Sequence, residues 1–138
     1  MHDSTIELLA DELNRLVGWG VEPSRLATKR VLSELAEVDE SLSRITAGCV
    51  ILRFIRESIK TYDGSREFLE REYEVRSLQR AFTLLLAVEQ ANVSAPARAY
   101  RVMRLLELDY SYDQWRRNPR LQRGLLTLLA EWMTDRQT

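Results

Sequence analysis

The fold prediction begins with residues 24–62, which read SRLATKRVLSELAEVDESLSRITAGCVILRFIRESIKTY. Apolar side chains recur along this stretch in alternating steps of four and three residues, at Val31, Leu35, Val38, Leu42, Ile45, Cys49 and Leu52. This near-heptad spacing is typical of a helix that buries one stripe of its surface. Because only Gly48 interrupts the stretch, we expect either one long helix kinked at Gly48 or two helices that meet there.

A second periodic stretch follows the turn predicted at residues 63–65. Its apolar residues are Phe68, Val75, Leu78, Phe82 and Leu85. Two helices patterned in this way across a short turn are expected to lie antiparallel at a shallow angle. We therefore expect an all-α fold, a compact bundle of five to six helices built on a long antiparallel helical hairpin of about residues 24–62 and 66–90. We expect residues 1–138 to form a single domain.

Local capping signals predict where the remaining helices begin. The first helix is expected at about residues 4–17, a fourth at about 96–108, and a last one from Pro119 to about Met133. Ser4 with Glu7 predicts the start of the first helix, and Pro23 predicts that of the next. Asn92 and Pro96 mark the turn before the fourth helix, and Ser111 with Gln114 predicts the start of a short helix after it.

Charged residues on the predicted hairpin recur four residues apart with opposite signs. The pairs are Arg30/Glu34, Glu40/Arg44, Glu67/Arg71 and Glu72/Arg76. Such spacing is typical of a solvated helix face held by weak ion pairs. It favours that interpretation over a divalent-metal site, which needs two facing clusters of ligands.

Composition and rare residues exclude several classes of function. The chain has 138 residues, of which 45% are hydrophobic and 30% charged, an ordinary globular composition. The longest apolar run, residues 84–88, is too short to cross a bilayer, and residues 1–5 lack the features of a signal peptide. The single cysteine, Cys49, cannot form an internal disulfide, and one cysteine with one histidine, His2, cannot form a Cys/His metal cluster.

From these observations we expect a cytoplasmic protein that does not associate with membranes. No nucleophile–base pair, glycine-rich phosphate loop or metal motif is recognisable. We therefore expect no enzymatic activity, no cofactor and no bound metal, and no small-molecule substrate is evident.

The segment of residues 98–123 is the strongest candidate for a binding site, because it carries seven arginines interleaved with aromatic residues. Guanidinium groups contact phosphates, and exposed aromatic rings stack on unpaired bases. The candidate phosphate- or partner-binding residues are Arg98, Arg101, Arg104, Tyr110, Tyr112, Trp115, Arg116, Arg117, Arg120 and Arg123. In the alternative interpretation, the aromatic residues are buried and the arginines are solvated or pair with Glu7, Asp11 and Glu12 of the acidic first helix, in the same chain or in another copy.

A wide apolar arc near the end of the sequence predicts self-association. Its candidate interface residues are Leu125, Leu129, Trp132 and Met133. Residues 84–88 are apolar on every side of a helix, and a small bundle has little room to enclose two such helices. We therefore expect a homo-oligomer.

Together these patterns predict a non-catalytic helical interaction or assembly module, an adaptor or scaffold that binds a protein partner, itself, or both. The alternative is a nucleic-acid-binding subunit that uses the arginine-rich segment of residues 98–123. Salt distinguishes the two, because phosphate binding weakens steeply with ionic strength whereas an apolar helix interface hardly does.

Overall fold

The computed structural model describes residues 2–19, 21–89 and 92–136. These residues form eight α-helices and one two-stranded antiparallel sheet. The elements in chain order are α1 (His2–Trp19), α2 (Pro23–Leu26), α3 (Arg30–Leu35), α4 (Arg44–Lys60), β1 (Glu67–Phe68), β2 (Arg71–Glu72), α5 (Val75–Leu85), α6 (Ala95–Leu105), α7 (Tyr112–Arg117) and α8 (Gln122–Arg136). The chain is mostly helical, as the sequence predicts, with more and shorter helices than the expected five to six.

The predicted first arm of the long hairpin is not one helix or two but three. Helix α3 ends in a left-handed turn at Glu37, where φ is 55°. The N–H of Val38 donates to the carbonyl of Ser33, and the N–H of Glu37 donates to that of Glu34. This pair of hydrogen bonds defines a Schellman motif, which closes a helix C-terminus. Ser43 then begins α4 by accepting from the N–H of Thr46 at 3.2 Å.

The start of α3 depends on a residue from another helix. The carboxylate of Glu12 on α1 accepts hydrogen bonds from the N–H groups of Val31 and Leu32, both at 2.9 Å. These are among the N–H groups that a helix cannot satisfy internally. Residue Lys29, in the N-cap position, makes no side-chain cap of its own. A tertiary contact therefore supplies the cap that the local sequence lacks.

Gly48 lies inside α4 and does not break it. A Cβ atom at this position would lie 1.7 Å from the carbonyl oxygen of Pro23. The glycine therefore allows the backbone of α2 to pack directly on α4, a close approach that no other residue permits at this distance.

The predicted second arm, residues 66–90, also differs, because its first part is a β-hairpin. Phe68 pairs with Arg71, and Glu67 pairs with Glu72. The two turn residues, Leu69 and Glu70, both have positive φ, at 53° and 63°. This is the backbone of a tight two-residue hairpin turn, which is usually built from Asn and Gly. Helix α5 therefore begins only at Val75.

The core contains side chains from the longer helices and from the hairpin, and α1 packs extensively along α8. Tyr62, Phe82 and Trp132 form edge-to-face ring contacts, with centroids 5.0 Å apart for Tyr62–Phe82 and 6.0 Å for Tyr62–Trp132. The predicted near-heptad stripe is not the buried face of α4. Ile45 is 66% exposed, Leu42 is 37% exposed and Cys49 is also exposed. The buried residues are Ile51, Ile55, Ser58 and Ile59 with Gly48.

Local start signals in the second half of the chain are confirmed. Ser94 caps α6 by accepting from the N–H of Ala97, and Ser111 with Gln114 forms a complete capping box on α7. The last helix begins at Gln122, three residues later than predicted.

Candidate anion-binding surface

The fold separates the predicted arginine–aromatic segment into buried, paired and exposed parts. Arg98 is buried, with 3% of its surface accessible. Its guanidinium donates to the carbonyl of Val17 at 2.6 Å, to that of Val93 at 3.0 Å, and to those of Leu84 and Leu85. Burial lowers the pKa of Arg98 below its ordinary value. Arg98 therefore joins the C-terminal ends of α1 and α5 to α6 and offers no surface to a partner.

Arg123 also has a partner within the chain. Its guanidinium donates to a carboxylate oxygen of Asp11 at 2.8 Å and to the carbonyl of Glu7 at 3.3 Å. This contact ties α8 to α1. It corresponds to the alternative in which the acidic first helix neutralises arginines of the same chain. Another acid of that helix, Glu12, caps α3 instead.

The aromatic residues of the segment divide in the same way. Trp115 is fully buried, and its indole N–H donates to Gln122 at 3.0 Å. The rings of Tyr100 and Tyr112 lie 6.5 Å apart at the junction of α6 and α7. Tyr100 is 52% exposed and Tyr110 38% exposed, so these two rings are accessible.

On α7, Arg116 and Arg117 both pair with Asp113, at 3.0 Å and 3.2 Å. All three side chains are more than half exposed. Arg120 is also exposed. Such pairs contribute little stability and exchange readily for other partners.

Two exposed arginines of α6 contribute to a shared depression. Arg101 and Arg104 line it together with Arg80 of α5, over Leu84 and Leu105, and its volume is about 340 Å³. The fold thereby brings two arginines predicted from the sequence beside Arg80, which was not among the predicted residues.

Arg80 also lines a larger cleft between α4 and α5, of about 690 Å³. Four cationic side chains surround it, Arg56, Lys60, Arg76 and Arg80, with Glu89 as the one acidic side chain of the lining. The sequence did not predict this site, because its spacing pairs Arg76 with Glu72 on one helix, whereas Glu72 lies on β2. A readable signal was present, since Arg56/Lys60 and Arg76/Arg80 are like charges four residues apart.

The predicted oligomer interface lies mainly in the core. Leu125, Leu129 and Met133 are fully buried within one chain. Trp132 is partly buried, and its indole N–H donates to the carbonyl of Ser58 at 3.0 Å. Intramolecular packing therefore accounts for this apolar arc without a second copy. The larger exposed apolar residues around the start of α4 are Leu42 and Ile45, with Cys49 one turn further on.

Other groups with shifted pKa values have structural explanations. Burial raises the pKa of Tyr62, whose hydroxyl donates to the carbonyl of Ser65 at 2.6 Å. Burial also raises the pKa of Tyr73, whose hydroxyl donates to the carbonyl of Leu106 at 2.8 Å. In the described part of the chain, no three His, Cys, Asp or Glu side chains come together as a metal site would require. Within the same part, no helix has the length and apolar character needed to cross a bilayer.

Comparisons of this chain with protein-family models, with curated proteins and with solved structures find no significant match.

Proposed function

We propose that the chain is a non-catalytic interaction module of the cytoplasm whose partner is nucleic acid, held by its phosphate backbone. The observation that carries the proposal is the meeting of Arg101 and Arg104 of α6 with Arg80 of α5 around one depression. Of the two functions that the sequence leaves open, this one is favoured because its exposed cations lie together. The residues expected to form a subunit contact are largely core.

The type and the placement of the side chains both favour phosphate binding. Guanidinium groups bind phosphate oxygens through paired N–H donors, and several such groups on one surface can contact successive phosphates of a backbone. Arg116 and Arg117 can join the surface by exchanging their exposed contacts with Asp113 for phosphate. Tyr110 adds an accessible ring on which an unpaired base can stack.

The test is fluorescence anisotropy of labelled single- and double-stranded oligonucleotides at several salt concentrations. We expect binding whose logarithm falls linearly with the logarithm of salt concentration, with a slope that reflects the number of phosphate contacts. Arg101→Gln with Arg104→Gln should weaken binding and make that slope shallower. The matched control is Arg53→Gln, because Arg53 is an exposed arginine on α4 that lines neither the depression nor the cleft. Absence of binding at low salt would refute the proposal.

Self-association is the second candidate function, supported by the apolar patch of Leu42, Ile45 and Cys49. Removing exposed apolar side chains from water at an interface lowers the free energy of the complex. Ile45 and Cys49 lie one turn apart on α4, the spacing of a helix–helix seam. We expect Ile45→Glu to lower the mass in solution measured by light scattering. A wild-type chain that is monomeric at high concentration would exclude this candidate.

A further inference from the structure

The cleft between α4 and α5 has an arrangement of charges that no contact within the described residues relieves. Arg56 and Lys60 lie four residues apart on α4, and Arg76 and Arg80 lie four residues apart on α5. Like charges at this spacing are adjacent on a helix surface and repel one another. None of the four takes part in an ion pair with another residue of the described chain.

The walls of the cleft are held in place before any ligand binds. The side-chain amide of Gln79 on α5 donates to the carbonyls of Ile59 and Lys60, at 3.1 Å and 2.9 Å. These carbonyls belong to the last turn of α4, so one side chain fixes the distance between the two helices. Ile59 is buried and Val88 is partly buried, and both belong to the lining. A preformed site of this kind loses little conformational entropy on binding.

We propose that this cleft is a binding site for a compact ligand that carries two or more phosphate groups. Its volume of about 690 Å³ is within the range of small-molecule sites and accommodates a nucleotide-sized molecule. Three arginines and one lysine around a single cavity match several phosphate groups better than a single carboxylate. Among the described residues that line the cleft there is no aromatic ring, so the phosphates rather than a base provide the recognition. Glu89 disfavours an anion at its own position and accepts hydrogen bonds from sugar or other hydroxyl groups.

The ligand phosphates could belong to a free nucleotide or to the end of a nucleic acid, and the two sources are separable. The inference does not rest on the nucleic-acid proposal, because Arg56, Lys60 and Arg76 do not line the depression of Arg101 and Arg104. Arg80, which lines both, is left unchanged in the variants below.

The experiment is isothermal titration of the full chain with inorganic tripolyphosphate, adenosine triphosphate and adenosine. We expect the two phosphate compounds to bind and adenosine not to bind. Arg56→Gln with Arg76→Gln should weaken tripolyphosphate binding about a hundredfold, since each of the two lost charged hydrogen bonds is worth about a factor of ten. The same double variant without ligand should melt at the wild-type temperature or above it, because it removes two repulsions.

Arg53→Gln is the control, since it removes an arginine of the same helix outside the cleft. Equal weakening in this control, or no wild-type binding of tripolyphosphate, would overturn the proposal. Comparing the binding of 5′-triphosphorylated and 5′-hydroxyl oligonucleotides identifies the source of the ligand phosphates. A preference for the triphosphorylated oligonucleotide assigns the cleft to nucleic-acid termini, and equal binding assigns it to free nucleotides. Arg101→Gln with Arg104→Gln should leave tripolyphosphate binding unchanged while weakening 5′-hydroxyl oligonucleotides. These two pairs of variants therefore test the cleft and the nucleic-acid proposal independently.

Discussion

Replacing Gly48 by alanine tests the close contact between α2 and α4. The new Cβ would lie 1.7 Å from the Pro23 carbonyl oxygen and 2.3 Å from the carbonyl carbon, whereas ordinary contact begins at 3.4 Å. Helix α2 must therefore retreat by about 1.7 Å, the difference between these two oxygen distances. That retreat loosens Leu26, which is fully buried on α2.

The expected cost is worked from three contributions. Overpacking strain costs about 1–3 kcal/mol. Partial exposure of Leu26 costs up to about 2 kcal/mol. The higher helix propensity of alanine offsets about 1 kcal/mol. At the middle of these ranges we expect the free energy of unfolding to fall by about 2 kcal/mol, and at most by about 4 kcal/mol. For a chain of this size that is a reduction of about 1–2 M in the urea midpoint.

The assay is urea denaturation followed by circular dichroism, with Gly18→Ala as the matched control. A Cβ at Gly18, also in a helix, meets nothing within 4 Å. The control should therefore be unchanged or more stable by up to about 1 kcal/mol. If Gly48→Ala were as stable as the control, Gly48 would be an ordinary helical glycine and the α2–α4 contact would be refuted.

Three further substitutions test hydrogen bonds and backbone strain. Arg98→Met keeps the aliphatic volume but leaves buried carbonyls without hydrogen-bond donors, so the free energy of unfolding should fall by about 3 kcal/mol or more in a denaturation experiment. A fall of less than about 1 kcal/mol would mean that the guanidinium is not buried. Glu12→Ala removes the cap of α3 and should lower the free energy of unfolding by about 1–2 kcal/mol, with faster amide exchange in the first turn of α3. The control, Glu34→Ala, should change stability by less than about 0.5 kcal/mol because its ion pair is exposed. Equal effects of the two substitutions would contradict the capping role. Glu37→Gly relieves a left-handed residue and should raise stability by about 1 kcal/mol, so a decrease in the urea midpoint would be inconsistent with the positive φ.

Helix starts could be predicted from the sequence better than helix ends. The caps at Ser94 and Ser111 each involve a residue three positions away, so their signals are local. The ends of α3, α5 and α6 are left-handed turns at Glu37, Ala87 and Glu107. Glycine is the usual residue at this position, so a search for glycine finds none of these turns.

The hairpin and the cap of α3 could not be predicted for a related reason. Leu69-Glu70 lacks the Asn-Gly signature of a tight turn, and the Phe68–Arg71 pairing forms despite it. Glu12 reaches α3 across about twenty residues, a contact that depends on tertiary packing.

For the candidate surface, the sequence could predict which side chains are cationic but not which ones are accessible. Arg98 and Arg101 belong to the same cluster in the sequence, yet one is buried beneath two helix ends and the other is exposed. The signal that could have found the cleft was the like-charge spacing of Arg56/Lys60 and Arg76/Arg80, which is visible without a structure.

The buried guanidinium of Arg98 has a consequence for the order in which the chain can fold during synthesis. Val17 is translated 81 residues before its hydrogen-bond partner, Arg98, and Asp11 112 residues before Arg123. Helix α1 is thus synthesised long before α8, its main packing partner, and until α8 emerges the face of α1 that packs on α8 is exposed. A chain that ends before α8 should therefore lose the structure of α1. A ribosome-bound intermediate should remain sensitive to protease within α1 until α8 has emerged.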